Sequence, residues 1–196
     1  MWVRPADRRA RVSERDAREH PCVSSDGGEE HFVMSFRDTA TALVQQIVTR
    51  SEVSKIVPGL FVGSKPPPGR HEGIDVIVLA AMEYQPPAHL FPGTEVIHAP
   101  LDDAPGRPMT QDEIAIATKA AERVTRLLRA GQRVLVTCAL GLNRSSLVAA
   151  LAMHDVYGMS ADEIVTRVRR ARGPWALSNP NFEKLLRVVI DVKKEP

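Results

Sequence analysis

At 196 residues the chain is long enough for one domain with its own hydrophobic core and some length to spare. A charged fraction of 26%, a hydrophobic fraction of 43% and a formal net charge of +2 give no basis for nucleic-acid or membrane binding through bulk charge. Two cysteines, Cys22 and Cys138, are too few for a disulfide framework, and the longest apolar runs, such as residues 147–153, fall far short of a membrane span.

Residues 1–33 set six arginines against seven acids with little apolar periodicity, and are read as a disordered N-terminal segment. Met34 stands where globular patterning begins and is an alternative start of translation; residues 34–196 form the expected folded domain. From Ser35 onward, Phe36, Ala40, Leu43, Val44, Ile47 and Val48 share one face, which predicts an amphipathic helix. Short apolar runs at 55–57 and 60–62 flank Pro58-Gly59 and predict two strands joined by a tight turn. Pro66, Pro67, Pro68 and Gly69 then break the chain. Residues 75–81 and 95–99 are continuous apolar runs of strand length, as expected of a parallel sheet covered on both faces. Between them, the proline-rich segment 83–93 with Tyr84 and Phe91 reads as a connecting loop, with a substrate wall as the alternative. His98 reads as a packed strand residue. Asp102 and Asp103 beside Pro105 are a turn-forming combination in their own right.

Thr110 and Glu113 have capping-box spacing, and Ile114, Ala117, Ala121, Val124 and Leu128 follow on one helical face up to Gly131. A strand at 133–137 and a helix at 145–157, apolar nearly all round, come next. Gly158 stops that helix, and Ser160 with Glu163 opens another that turns Ile164, Val165 and Val168 inward. Arg167, Arg169, Arg170 and Arg172 at its far end read as a solvated face, with the alternative that some of them raise the local potential for a dianionic substrate. The last helix opens at Asn179, read as its cap, with Pro180 in its first turn, and buries Phe182, Leu185, Leu186, Val189 and Ile190.

The chemistry concentrates in residues 134–151, VLVTCALGLNRSSLVAAL. A buried strand runs into a tight loop and a helix, with Cys138 at the strand's end and Arg144 at the helix start. Ala139, Leu140, Gly141, Leu142 and Asn143 lie between them. A strand-loop-helix of this kind makes a nest of backbone N–H groups at a helix N-terminus, the arrangement that favours a phosphate dianion. Gly141 allows a positive φ inside it. Arg144 presents two parallel donors to phosphoryl oxygens, which a lysine does not. The same positive field favours the thiolate form of Cys138, the form that attacks. A site so built is expected to bind a phosphate and aim sulfur at its phosphorus. No cluster of His, Asp or Glu has ligand spacing, so no metal and no cofactor is expected. A thiolate nucleophile needs a reducing compartment, which with the absence of an apolar signal core points to the cytoplasm.

Cys138, five residues, Arg144 and Ser145 resemble the signature of the cysteine-dependent phosphatases. From about residue 35 the chain is similar to their compact dual-specificity branch, including the opening hairpin SKIVPGLFVGS at 54–64. The resemblance implies an α/β, three-layer phosphotyrosine-phosphatase-like fold, its central sheet mostly parallel with helices on both faces. It implies that Cys138 becomes phosphorylated, that the N–H groups of residues 139–143 and Arg144 hold the phosphoryl oxygens, and that the Ser145 hydroxyl helps the thiolate leave. Asp103, two residues after Leu101, aligns with the family's acid for the leaving oxygen, with Asp102 as a substitute. Asn179, three before Phe182 and seven before Leu186, matches a family asparagine. Thr137 stands where the family usually has histidine. The implied partner is a phosphorylated protein or peptide carrying phosphotyrosine, phosphoserine or phosphothreonine, with no membrane. Alternatives on the same fold are a phosphoinositide phosphatase, which the apolar Ala139, Leu140 and Leu142 weigh against, and an RNA 5′-triphosphatase, whose loop the GLNR of residues 141–144 resembles. Thr137 keeps open a third reading, a non-catalytic phosphate-binding module.

Overall fold

A computed structural model describes residues 53–192. The expected N-terminal segment and the helix beginning near Ser35 lie outside the described residues, as does Cys22. Ten elements follow in order: strands β1 (Val53–Val57), β2 (Leu60–Gly63) and β3 (Val76–Ala81), a short 3-10 helix (Ala88–Leu90), β4 (Glu95–Leu101), helix α1 (Gln111–Arg129), β5 (Val134–Thr137), and helices α2 (Arg144–Tyr157), α3 (Ala161–Arg172) and α4 (Pro180–Val192).

The strands form one sheet in the order β1-β2-β5-β3-β4. β1 and β2 pair antiparallel through Pro58-Gly59, and every other pair is parallel. Gly59 takes φ +76 at this turn, and its carbonyl accepts from Val134 N at 2.8 Å, which starts the β2–β5 ladder. β3 and β5 are buried at every position, the state that their unbroken apolar runs require.

Alternation along the strands sends side chains to two cores. Val76, Val78, Val134 and Val136 face the larger one, shared with all four α-helices, while Ile77, Leu79 and Leu135 face a smaller one closed by Phe91 beside the 3-10 helix. The result is the expected three-layer α/β domain, with the α-helices on one side of a mostly parallel sheet and the 3-10 helix segment on the other. α2 runs through the larger core, and all ten of its residues from Arg144 to Met153 are buried. Both capping boxes form: Thr110 accepts from Glu113 N and Ser160 from Glu163 N, with the glutamates reaching back.

This topology places the site. β5 is the middle strand, and α2 leaves from its C-terminal end, so the intervening loop lies over the carboxyl edge of the sheet between β2 and β3.

Candidate active site

The loop between β5 and α2 is held from outside by its carbonyls. Ala139 O accepts from Lys65 N at 3.3 Å, Leu140 O from Arg172 Nη2 at 3.0 Å, Gly141 O from Arg172 Nε at 3.0 Å, and Leu142 O from Leu177 N at 3.0 Å. A trans peptide unit is planar, with its C=O and N–H on opposite sides. Carbonyls of 139–142 that point outward therefore turn the N–H groups of Leu140, Gly141, Leu142 and Asn143 the other way, toward the centre of the loop. Gly141 sits at φ +68, and a Cβ there would stand 2.6 Å from the Gly63 carbonyl and 2.5 Å from Arg172 Nη2. The position requires glycine for both reasons.

Cys138 is buried, 3% exposed, against Ala80 and Ala81 with Tyr84 alongside. Its Sγ lies 3.2 Å from the Ser145 Oγ, and Ser145 is fully buried in the first turn of α2. Thr137 directs its hydroxyl away from the loop, donating to Val78 O at 3.1 Å, and so ties β5 to β3. Asn143 is a strut: its Oδ1 accepts from Ser178 N at 2.9 Å and Asn179 N at 3.2 Å, fastening the loop to the approach of α4.

Arg144 is 6% exposed. Its two terminal nitrogens pair with both carboxylate oxygens of Glu83, and Nη1 also donates to Leu101 O at 3.2 Å. Nε is buried without a hydrogen-bond partner, 4.0 Å from an oxygen of Asp103. Burial opposes the guanidinium charge, but Glu83, Cys138 and Asp103 outweigh it and hold the Arg144 pKa above its ordinary value. In return, the Arg144 hydrogen bond holds the Glu83 carboxyl below its usual range despite some burial.

Asp103 accepts from Asn179 Nδ2 at 2.8 Å through Oδ1, which leaves Oδ2 facing Arg144. Asn179 is also the cap expected of it, its Oδ1 taking Asn181 N at 3.0 Å. Asp102 turns elsewhere: one oxygen accepts from Asp103 N at 2.8 Å and the other pairs with Arg107 at 2.8 Å. Arg107 in turn grips Glu113, whose pKa it pulls down to about 2.

Cys138, Arg144, Ser145, Asp103 and Asn179 are thus linked in one place, and the peptides of 139–143 surround it. Nothing in the sequence reading assigns Glu83, Arg172 or Asn181 to this site. Glu83 belongs to the segment expected to be a connecting loop. Arg172, expected on a solvated face, is 6% exposed and bonded to the β5–α2 loop. Arg169 departs from that expectation too, donating to Ala176 O and pairing with Glu183 at 3.0 Å. For Arg172 a signal existed, because Ile164, Val168 and Arg172 follow at steps of four and share the inward stripe of α3. His98 is exposed and bonded to Gln85 at 2.8 Å rather than packed. Among the described residues no group of three or more His, Cys, Asp or Glu is placed to hold a metal ion, and no helix is long and apolar enough to cross a membrane.

Compared by sequence, the chain matches no family model and no curated protein. Compared by structure, it is similar to human DUSP28, with a TM-score of 0.61 at 23% identity over 74% of this chain and 97% of that one. The chain has the dual-specificity phosphatase fold. The active form of Tk-PTP superposes at a TM-score of 0.59 and 21% identity, covering 71% of this chain and 97% of that one. Human tyrosine phosphatase-like serine/threonine/tyrosine-interacting protein superposes at 0.60 and 20% identity, covering 74% and 99%. One architecture thus carries proteins called phosphatases and one called phosphatase-like, so function has to be argued from the site.

Proposed function

We propose that the protein is a metal-independent phosphomonoester hydrolase that works through a phosphocysteine, with phosphotyrosine and phosphoserine or phosphothreonine proteins as substrates. The observation that carries this reading is the buried Nε of Arg144, lacking a hydrogen-bond partner beside the loop that holds Cys138, with Asp103 4.0 Å away. A buried charged donor without an acceptor is costly, and a phosphoryl oxygen supplies the acceptor.

In the first step a lone pair of the Cys138 thiolate forms the S–P bond as the P–O bond to the leaving group breaks, and Asp103 gives its proton to that oxygen. An alkoxide is too basic to depart without it. In the second step a water oxygen attacks phosphorus, its proton passes to Asp103, and the S–P bond breaks to release phosphate and thiolate. The Ser145 hydroxyl, 3.2 Å from Sγ, donates to the sulfur as charge returns to it. Glu83 fixes the plane of Arg144, leaving Nε for the equatorial oxygens. Thr137 ties β5 to β3 beneath the loop, while a hydroxyl beside Sγ and a carboxyl beside Arg144, neither of which phosphate binding alone needs, support the catalytic reading over a purely binding one. The apolar side chains of Ala139, Leu140 and Leu142 offer nothing to the extra phosphates of an inositide. A cysteine that must stay reduced suits the cytoplasm.

A panel of phosphopeptides, phosphoinositides and 5′-triphosphorylated RNA, run with wild type and Cys138→Ser, tests the proposal. Phosphopeptide turnover that survives EDTA and vanishes in Cys138→Ser is expected; turnover retained by Cys138→Ser contradicts it.

A further inference from the structure

The phosphate loop turns four successive carbonyls outward, and two of the four are held by a single side chain. Arg172 is the last residue of α3, 31 positions beyond Gly141 and buried to 6% exposure. Its Nε and Nη2 donate to Gly141 O and Leu140 O, both at 3.0 Å, while Nη1 donates to Ser54 Oγ at 3.2 Å on β1. A planar guanidinium with its donors in a fixed fork holds two successive peptide oxygens in a set relation, which a single ammonium point charge does not.

We propose that Arg172 is a positioning residue for the phosphate: by fixing the Leu140–Gly141 and Gly141–Leu142 peptides through their oxygens, it aims the Gly141 and Leu142 N–H groups at the anion. The peptide plane transmits the constraint, since neither N–H can swing away without pulling its carbonyl-bearing plane off the guanidinium. The glycine makes the fork necessary. At φ +68 Gly141 is the loop's least restrained residue, and the 2.5 Å between its would-be Cβ and Nη2 shows that the guanidinium is seated where no side chain could stand. Arg172 also places a positive charge behind the loop, on the side away from the phosphate, where it reinforces the field without competing for the ligand. Arg144 and Arg172 thus divide the work, one meeting phosphoryl oxygens from the helix side and the other ordering the peptides that meet them.

This inference rests on the phosphatase reading, and inorganic phosphate is the probe that separates the two. In wild type, phosphate should inhibit turnover competitively and shift the amide proton resonances of Gly141 and Leu142. Arg172→Lys and Arg172→Gln, shown to be folded by near-UV circular dichroism, should raise the phosphate inhibition constant and KM by about tenfold, with a smaller loss in kcat. A folded Arg172→Lys with both constants within about twofold of wild type overturns the role. So do Gly141 and Leu142 amides that stay still in wild type while phosphate inhibits, a readout that needs no variant to fold. Wild type that neither binds phosphate nor turns over any phosphoester overturns this inference together with the proposed function.

Discussion

Two loops converge on Arg144, and they are held by different means. The phosphate loop, residues 138–143, has four successive carbonyls bonded to Lys65 N, Arg172 and Leu177 N, and both Arg172 and Leu177 are buried. The acid loop, residues 102–108, is tied by side chains. Asn181 reaches Arg107 O at 2.8 Å and Pro105 O at 3.3 Å, Asn179 holds Asp103, and Arg107 spans Asp102 and Glu113 with 43% of its side chain exposed. Buried backbone anchors cost a great deal to break, whereas half-exposed ion pairs contribute little and are screened by salt. The difference suits the proposed chemistry. A nest of N–H groups must be ordered before the phosphate arrives, but an acid has to admit the leaving group and release it.

Breaking the rigid half should have the largest effect. Gly141→Ala pushes a methyl group into the Gly63 carbonyl and the Arg172 guanidinium, and should lower kcat/KM by about a thousandfold on every substrate, good leaving group or poor. Steady-state kinetics on two esters checks this, and a loss confined to one of them would mean that the nest is not what the glycine protects. Asp103→Asn should cost about a hundredfold on alkyl phosphates and far less on nitrophenyl phosphate, whose leaving group hardly needs a proton. Equal losses on both would remove Asp103 from the acid role. Loosening the tether sharpens the contrast further. Asn181→Ala frees the loop carbonyls of Ala104, Pro105 and Arg107 and should lower kcat on alkyl phosphates by roughly threefold to tenfold while leaving phosphate inhibition unchanged.

The smallest effect concerns stability and pH. Arg107 lowers the Glu113 pKa from 4.5 to about 2 in the folded protein. A depressed folded-state pKa stabilises above the unfolded value, so this contribution is complete above pH 4.5 and is lost as pH falls from there toward about 2. Urea unfolding should therefore find Glu113→Gln less stable than wild type at neutral pH, with the gap narrowing over that acid window. A gap that does not change with pH would deny the Arg107–Glu113 link.

The two halves were also unequally legible in the sequence. That Cys138, Gly141, Arg144 and Ser145 gather at one strand-loop-helix junction could be read because such a junction imposes a local spacing, and local spacing survives in one dimension. The four-helix and five-strand order was equally plain, since β3 and β5 are unbroken apolar runs and both capping boxes spell themselves out. What escaped were the partners brought in from far along the chain. Glu83 meets Arg144 across 61 positions, and nothing in EYQPP distinguishes a carboxylate that clamps a guanidinium from one facing water. Arg172 was hidden by its company, one of four arginines in a row of six residues, although its step of four from Val168 marked it as inward. Asn143 is expected from the sequence as a member of the loop's N–H nest, and its side chain is in addition the strut to the approach of α4.

The central claim, that Cys138 forms a bond to phosphorus, has a direct measurement. Wild type mixed with nitrophenyl phosphate, quenched by rapid denaturation and digested, should yield a Cys138 peptide heavier by one phosphoryl group, and Cys138→Ser should yield none. Turnover without that adduct, or a phosphoryl group found on another residue, would contradict the account.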